Sequence, residues 1–204
     1  MSSARKKRPP AVRSDGARNR ELLLAAAEQE FGEQGIAASV ADITRRAGLA
    51  KGTFFRHFAT KDDLITAIVE PHIEVLDSAA RAQLDAVEPG AALLEFLTVA
   101  AGQRQQRDVS FLLRAGSAPA RVTMLRDRLF DTIAQLVDRA LASGALRNDI
   151  TATDVILLMC APIHVVEYLP NAQPDLWRRY LGIIFDGLRP EGAHPLPYPA
   201  PTPP

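Results

Sequence analysis

The sequence has one cysteine, few aromatic residues and no apolar run long enough to cross a membrane. Its longest strongly apolar run extends from Val155 to Val166 and is interrupted by Pro162 and His164, whereas a membrane-spanning helix needs about 20 apolar residues. The single Cys160 cannot form an intramolecular disulfide, and the basic N-terminus lacks the apolar segment of a signal peptide. These absences predict a soluble, cytoplasmic protein without a disulfide framework.

The sequence also lacks the alternation of polar and apolar residues that predicts β-strands. Apolar residues recur instead at helical spacing, and we therefore predict an all-α fold. Three residue pairs follow the capping-box pattern that begins a helix: Ser39 with Asp42, Thr60 with Asp63, and Thr151 with Asp154. Beyond residue 70 the predicted helices are 91–105, 108–116, 119–143, 151–168 and 174–188.

The formal net charge is zero, but the charge is unevenly distributed. Residues 1–70 contain twelve Lys and Arg against nine Asp and Glu, whereas residues 71–204 contain twelve against fifteen. A basic N-terminal part indicates an anionic partner. Composition divides the chain into a disordered basic arm (1–16), an N-terminal domain (17–75), a second helical domain (76–190) and a Pro-rich disordered tail (191–204).

Residues 39–64, SVADITRRAGLAKGTFFRHFATKDDL, predict two short helices, 39–47 and 51–57, joined by a turn that begins with Gly48. This arrangement is the signature of a helix-turn-helix, whose second helix enters the major groove of DNA. Most of the residues that face outward can donate hydrogen bonds to phosphates, and none is acidic. The predicted DNA-contacting residues are Thr44, Arg45, Arg46, Lys51, Gly52, Thr53, Phe55, Arg56, His57 and Lys61.

The same stretch resembles the DNA-binding domain of the TetR family of transcriptional regulators over about residues 18–70. The matching segments are Phe31-Gly32-Glu33-Gln34-Gly35, Val40-Ala41-Asp42-Ile43, Ala47-Gly48-Leu49, Lys51-Gly52-Thr53, Phe55, His57-Phe58 and Lys61-Asp62-Asp63-Leu64. Two residues depart from the family pattern. Phe55 stands where a Tyr usually contacts a phosphate, and Ala50 stands where a Ser or Thr usually caps the second helix.

The resemblance implies a homodimer that binds double-stranded DNA at a palindromic operator and a C-terminal helical domain that binds a small-molecule effector. Helices 151–168 and 174–188 would pair with their copies across a two-fold axis as a four-helix bundle. The predicted interface residues are Val155, Leu158, Ile163, Val166, Leu176, Tyr180, Ile183 and Gly187. The predicted pocket-lining residues are Phe96, Phe111, Met124 and His164.

The leading interpretation is a repressor that leaves DNA when its effector binds. Two alternatives stay open: a constitutive DNA-binding or partner-binding dimer without an effector, and an enzyme whose resemblance to a DNA-binding domain is coincidental. A metal site at Cys160 and His164 has little support, because no other cluster of ligands lies nearby in sequence, and we expect a buried, hydrogen-bonded His164 instead. No nucleophile motif indicates catalysis. We therefore predict no enzymatic activity, no cofactor, no metal and no membrane partner.

Overall fold

The computed structural model describes residues 11–106, 118–159, 161–171, 173–191 and 193–201, in which every regular element is helical. The all-α prediction is therefore confirmed. A 3₁₀ turn (Gly35–Ala37) follows the first helix, and the helices are α1 (Ala11–Gln34), α2 (Val40–Ala47), α3 (Lys51–His57), α4 (Lys61–Ala82), α5 (Pro89–Gln106), α6 (Ala120–Ala142), α7 (Ala152–Leu158), α8 (Ala161–Glu167) and α9 (Leu176–Gly187). None of the helices in these ranges is long and apolar enough to span a membrane.

Several predicted features lie outside the described residues. They are residues 1–10 of the predicted arm, the predicted helix 108–116 with Phe111, and Cys160. Residues 11–16, which we also assigned to the disordered arm, are described and belong to helix α1. That assignment was wrong because Gly16 does not end the helix: a single glycine costs only about 1 kcal/mol in a helix interior.

The chain divides into two compact units, and the division falls within helix α4, between Val69 and Glu70. The first unit holds α1 to α3 and the start of α4, and the second holds the rest of α4 with α5 to α9. Apolar residues at helical spacing form the core of the first unit. Those that are buried there are Leu23, Ala26, Ala27, Phe31, Ile43, Phe54, Phe58, Leu64, Ile65, Ile68 and Val69.

In the second unit a buried polar cluster ties helix α4 to helix α6. Asp77 is 5% exposed, and its carboxylate accepts hydrogen bonds from the Thr132 hydroxyl and from Arg81 Nε, both at 2.9 Å. Arg128 Nε lies 3.2 Å from the same carboxylate. Burial raises the pKa of Asp77, but the hydrogen bonds from Arg81 and Thr132 outweigh it and hold the pKa below its ordinary value. The carboxylate is therefore charged and satisfied inside the unit.

The predicted single helix 151–168 is wrong, because the chain forms two short helices there. Helix α7 ends at Leu158 and helix α8 begins at Ala161. Pro162 explains the break: it has no N–H to donate to the carbonyl of Leu158, and its ring clashes with that carbonyl in a continuous helix. The break changes which side chains face the interior of the second unit after residue 158.

Candidate nucleic-acid interface

Helix α2 begins with a complete capping box. The N–H of Asp42 donates to the Ser39 hydroxyl at 3.2 Å, and the N–H of Ser39 donates to the Asp42 carboxylate at 3.2 Å. Hydrogen bonds from the Ser39 hydroxyl, the Ser39 N–H and Arg45 hold the pKa of Asp42 below its ordinary value. The predicted capping box is confirmed, and it satisfies two backbone groups that a helix start leaves without partners.

The turn between α2 and α3 is set by Gly48. Its φ of 66° lies in the left-handed region that favours glycine. The N–H of Leu49 donates to the carbonyl of Thr44 at 3.0 Å, which closes the end of α2. Helix α3 follows after Ala50, whose side chain offers no capping hydrogen bond. The predicted helix-turn-helix is therefore present: α3 has its predicted bounds, and α2 begins one residue later than predicted, after the N-cap Ser39.

Phenylalanine rings anchor helix α3 to the first unit. Phe54 is fully buried, and its ring centroid lies 5.7 Å from that of Phe58, which is also buried. The Arg20 guanidinium from α1 lies 5.3 Å from the centroid of the Phe58 ring. Phe55 meets the Phe54 ring edge-on at 5.2 Å but is itself 51% exposed. Because one side of α3 is fixed in the core, its other side faces outward.

The outward side of α3 carries basic side chains that have no acidic partner among the described residues. Lys51, Gly52, Phe55 and Arg56 are exposed. The side chains of Lys51 and Arg56 make no hydrogen bond or ion pair with the described part of the chain. A Cβ placed on Gly52 would meet no atom within 4 Å, so nothing in the first unit requires glycine there. Thr53 and His57 are half-buried beside this surface. We call Lys51, Gly52, Phe55 and Arg56 the α3 surface.

The arginines of α2 differ from this pattern because both have acidic partners. Arg46 Nε donates to Glu30 Oε1 at 2.7 Å, and a second nitrogen of Arg46 donates to Glu33 Oε1 at 3.0 Å. Glu30 is 3% exposed, and the hydrogen bonds that Arg46 donates to Glu30 and Glu33 raise the pKa of Arg46. Arg45 donates to the Asp42 carboxylate at 2.7 Å but stays largely exposed. Arg46 therefore fastens α2 to α1.

Two predicted DNA-contacting residues instead donate hydrogen bonds to backbone carbonyls within the first unit. Thr44 is buried, and its hydroxyl donates to the carbonyl of Val40 at 2.9 Å. The prediction that Thr44 points outward is therefore wrong, because it lies on the side of α2 that faces the core. Lys61 Nζ donates to the carbonyls of Ile36 and Ala38 at 2.6 and 3.3 Å. Its ammonium group supports the 3₁₀ turn after α1.

The predicted dimer residues are only partly on the surface of the second unit. Val155 and Ile163 are buried within it, which contradicts their assignment to an interface between copies. Leu158, Val166, Leu176 and Tyr180 are half-buried, and Ile183 and Gly187 are exposed. Other apolar side chains of this region are exposed, although the sequence did not predict it. These are Leu157, Val165, Tyr168 and Leu169.

The predicted ligand-lining residues do not meet at the pocket found in the second unit. Phe96 is fully buried, whereas Met124 and His164 are exposed. The burial expected for His164 was wrong as well. The pocket is small and opens to solvent, and its cavity volume of about 10 Å³ gives room for about one water molecule. Its lining comes from helices α5, α7 and α9 and from the residue that follows α7 and the one that follows α9. The lining residues are Leu97, Val155, Leu158, Met159, Leu181, Ile184, Phe185 and Leu188.

Two family models match this chain. Residues 23–68 match the model of bacterial regulatory proteins of the tetR family, and residues 88–190 match the model of the SbtR-like transcriptional regulator C-terminal domain. The first match covers α2, α3 and the turn between them. The second covers the segment that contains the pocket.

Individual relatives agree with these matches. Over 51 residues the chain is 45% identical to the uncharacterized HTH-type transcriptional regulator YvdT of Bacillus subtilis, and over 81 residues it is 32% identical to the HTH-type transcriptional regulator TtgR of Pseudomonas putida. The aligned segments cover 24% and 38% of this chain, but only 26% and 39% of those relatives.

A solved structure covers much more of the chain. The TetR family transcriptional regulator PfmR of Thermus thermophilus aligns with 82% of this chain and 98% of its own, with a TM-score of 0.63 and 23% sequence identity. At that identity the similarity concerns the fold, which the two chains share from the helix-turn-helix into the C-terminal helices.

Proposed function

Because the chain belongs to the TetR family of bacterial regulatory proteins, we propose that it is a transcriptional repressor that binds a palindromic operator as a homodimer and is released by a small molecule. Membership of the family makes the chain a DNA-binding transcriptional regulator and not an enzyme, so the enzyme alternative is wrong. Repression, the palindrome and the effector are parts of the proposal.

The observation that carries the DNA-binding part of the proposal is the α3 surface. Two unpaired cations, Lys51 and Arg56, flank an exposed ring and a glycine without a Cβ, on a helix whose other side is fixed in the core. Basic side chains of this kind bind phosphates, and a side-chain-free position lets a backbone approach the groove closely. No acidic residue interrupts the sequence between Asp42 and Asp62.

The exposed apolar side chains of the second unit support the dimer. Leu157, Val165, Tyr168, Leu169 and Ile183 are all exposed on or next to helices α7 to α9. Apolar residues concentrated on consecutive helices favour burial against another surface. A two-fold dimer presents two copies of α3, so its operator repeats the half-site in inverted order, one helical turn or more apart.

The effector part of the proposal rests on the match to a family C-terminal domain, because the pocket among the described residues has room for only about one water molecule. For release, the effector must bind more tightly to a state that misfits the operator than to the DNA-bound state. One observation favours the constitutive alternative: the cavity volume of about 10 Å³ is far below the roughly 300–1,000 Å³ typical of ligand pockets. A thermal-shift screen of a metabolite library separates the two, because a constitutive protein gains no stability from any compound.

The direct test is selection of binding sites from a pool of random duplexes, with sedimentation of the free protein in parallel. We expect the enriched sequences to contain an inverted repeat and the protein to sediment at about twice its chain mass of 22.2 kDa. A variant with Lys51→Ala and Arg56→Ala is the control and should enrich nothing. Enrichment of a single half-site together with a monomeric protein would contradict the palindrome and the dimer.

A further inference from the structure

The Pro-rich tail contacts the loop between α6 and α7, although its composition predicts disorder. We propose that the side chains of Arg147 and Asp149 form a binding site for an extended, proline-rich peptide backbone. Residues 193–201, which we call the strap, occupy this site and hold the end of α9. The site lies entirely in the second unit and does not depend on DNA binding, on the dimer or on an effector.

Arg147 is the donor of this site. It is 9% exposed, which is unusual for an arginine. Its Nε and one terminal nitrogen donate to the two oxygens of the Asp149 carboxylate at 2.6 and 2.9 Å, so the pair is bidentate. The same terminal nitrogen donates to the backbone carbonyl of His194 at 2.5 Å. Asp149 therefore fixes the guanidinium in the position from which it binds the strap.

Asp149 supplies the acceptor. The hydrogen bond from Arg147 is the leading cause of an Asp149 pKa below its ordinary value, and the N–H of Leu196 contributes to the same shift by donating to the carboxylate. The site thus offers a donor to a carbonyl and an acceptor to an N–H, on either side of Pro195. In an extended backbone these two groups lie on the same edge of the chain, where a neighbouring strand would pair with them.

The sequence of the strap favours this contact before it forms. Prolines stand at positions 195, 197, 199 and 201, so His194 and Leu196 each precede a proline. A residue before proline is restricted to extended conformations. Proline has no N–H, which makes Leu196 the first residue after His194 that can donate from its backbone. Because the strap is already extended when free, its binding loses less conformational entropy than that of an ordinary segment.

The same loop also binds the end of α9. The N–H of Arg147 donates to the carbonyl of Leu188 at 2.8 Å, and Leu188 is the buried residue that follows the helix. Carbonyls at a helix end lack partners within the helix, and this contact satisfies one of them. The N–H of Ala193 then donates to the carbonyl of Pro190 at 3.2 Å and forms a turn. Arg147 thus binds the chain on both sides of that turn, so release of the strap should loosen the end of α9.

The first test measures the backbone order of Leu196 by ¹⁵N relaxation in the full-length protein. In the wild type we expect an order parameter of about 0.85, the value of a rigid backbone, and in Arg147→Lys a value below about 0.6. Lysine keeps the charge but lacks the planar fork that binds Asp149 and the His194 carbonyl together. Asp149→Asn is a second variant in case Arg147→Lys is unfolded, and it should lower the order parameter in the same direction.

Arg178→Lys is the matched control. Arg178 lies 3.4 Å from Asp175 in an exposed pair on α9 that does not touch the strap, so Leu196 should keep its wild-type order. A flexible Leu196 in the wild type would overturn the binding site. So would a rigid Leu196 in the folded Arg147→Lys or Asp149→Asn variant.

The second test removes the strap and follows hydrogen exchange at the backbone N–H of Arg147, which donates to Leu188. In a chain that ends at Arg189 we expect exchange to be about tenfold faster, as the weakening of one hydrogen bond requires. A chain that ends at Pro201 keeps the strap and should exchange like the wild type. The amide of Leu136, in the core of α6, is the internal reference and should not change.

Two results would contradict the role of the strap at α9. Unchanged exchange at Arg147 in the chain that ends at Arg189 would mean that the loop holds α9 without the strap. Equally faster exchange at Leu136 would mean that the tail stabilises the whole second unit and not the end of one helix.

Discussion

Helices α2 and α3 each carry two basic side chains on their solvent-facing sides and use them differently. Arg45 and Arg46 of α2 donate to acidic partners in the same unit, at distances of 2.7 Å to Asp42 and to Glu30. Lys51 and Arg56 of α3 have no such partner within the described residues. The positive charge of α2 is thus largely neutralised by the fold, whereas that of α3 is available to another molecule.

This difference assigns distinct tasks to two helices of similar composition. Arg46 meets a carboxylate that is almost fully buried, so the pair orients α2 against α1. The α3 surface then projects from a rigid base. The presence of a basic residue in a helix-turn-helix therefore does not by itself identify a DNA contact. The residue is available to DNA only if no acidic side chain of the same unit already binds it.

The largest effect is expected from Lys51→Ala. In a dimer on an operator this change removes one phosphate contact in each half-site, and each contact contributes about 0.9 to the slope of log K against log salt. The slope should fall by about 1.8, which at 0.1 M salt corresponds to roughly sixtyfold weaker binding. Fluorescence anisotropy titrations over a range of about 50 to 200 mM salt measure both quantities.

Lys61→Ala is the matched control for Lys51→Ala. Lys61 Nζ already donates to the carbonyls of Ile36 and Ala38, so its removal should leave the salt slope unchanged and lower the stability of the first unit. If Lys61→Ala lowered the slope as Lys51→Ala does, the division between structural and DNA-facing cations would fail at that residue.

Arg46→Ala should destabilise the protein with no effect on the salt slope. It removes the charged partner of the buried Glu30 carboxylate, and a buried group without its partner costs roughly 1–3 kcal/mol. Urea unfolding measures the loss. Arg45→Ala removes an exposed pair instead and should cost almost nothing, because exposed ion pairs contribute little. Equal stability of the two variants would contradict the structural role of Arg46.

The helix-turn-helix could be predicted from the sequence because its signals are local. The capping box at Ser39 and Asp42, the left-handed Gly48 and the spacing of Phe54 and Phe58 each act within one or two turns. The partners of the cations were not predictable in this way. Glu30 is 16 residues from Arg46, and the carbonyl of Ile36 is 25 residues from Lys61, so only the packing of α1 brings them together.

The second unit was harder to predict, because the rotation of each helix about its axis decides which of its side chains face the core. Pro162 breaks the predicted helix 151–168 after Leu158. Val155 and Ile163 are buried, whereas Leu157 and Val165 are exposed. A uniformly apolar sequence carries no signal that separates a core face from an interface face. The pocket was misplaced for the same reason, since its lining comes from helices far apart in sequence.

Ser39→Ala should weaken the start of helix α2 and also change how its stability responds to acid. The Ser39 hydroxyl is the leading cause of the low pKa of Asp42, so that pKa should rise toward 3.8, its ordinary value. A depressed carboxyl pKa stabilises the fold above the unfolded value, and this contribution is lost as the pH falls through the folded pKa. Loss of the cap should cost about 1 kcal/mol at neutral pH.

Carboxyl NMR titration and unfolding at several pH values measure this change. The difference in stability between the wild type and Ser39→Ala should be largest at neutral pH. It should shrink as the pH falls below 3.8, the ordinary pKa of Asp42, and through the lower pKa that Asp42 has in the folded wild type. A difference that stayed constant far below that pH would show that the hydroxyl acts on the helix start without acting through Asp42.

The smallest effect is expected from Phe55→Tyr, which adds one hydroxyl to the α3 surface. Phe55 is half exposed beside the buried Phe54, and we expect its ring to contact the DNA backbone. A typical hydrogen bond contributes about 0.5–1.5 kcal/mol net, and we expect a gain near the lower limit because the phosphate gives up a water contact. Binding should tighten about threefold in each half-site.

Phosphate contacts do not read bases, so affinity for a scrambled duplex should rise by the same factor. Titration of both proteins on both duplexes at one salt concentration makes the comparison. Tightening on the operator alone would mean that residue 55 contacts a base edge, and no change on either duplex would mean that the ring does not reach DNA.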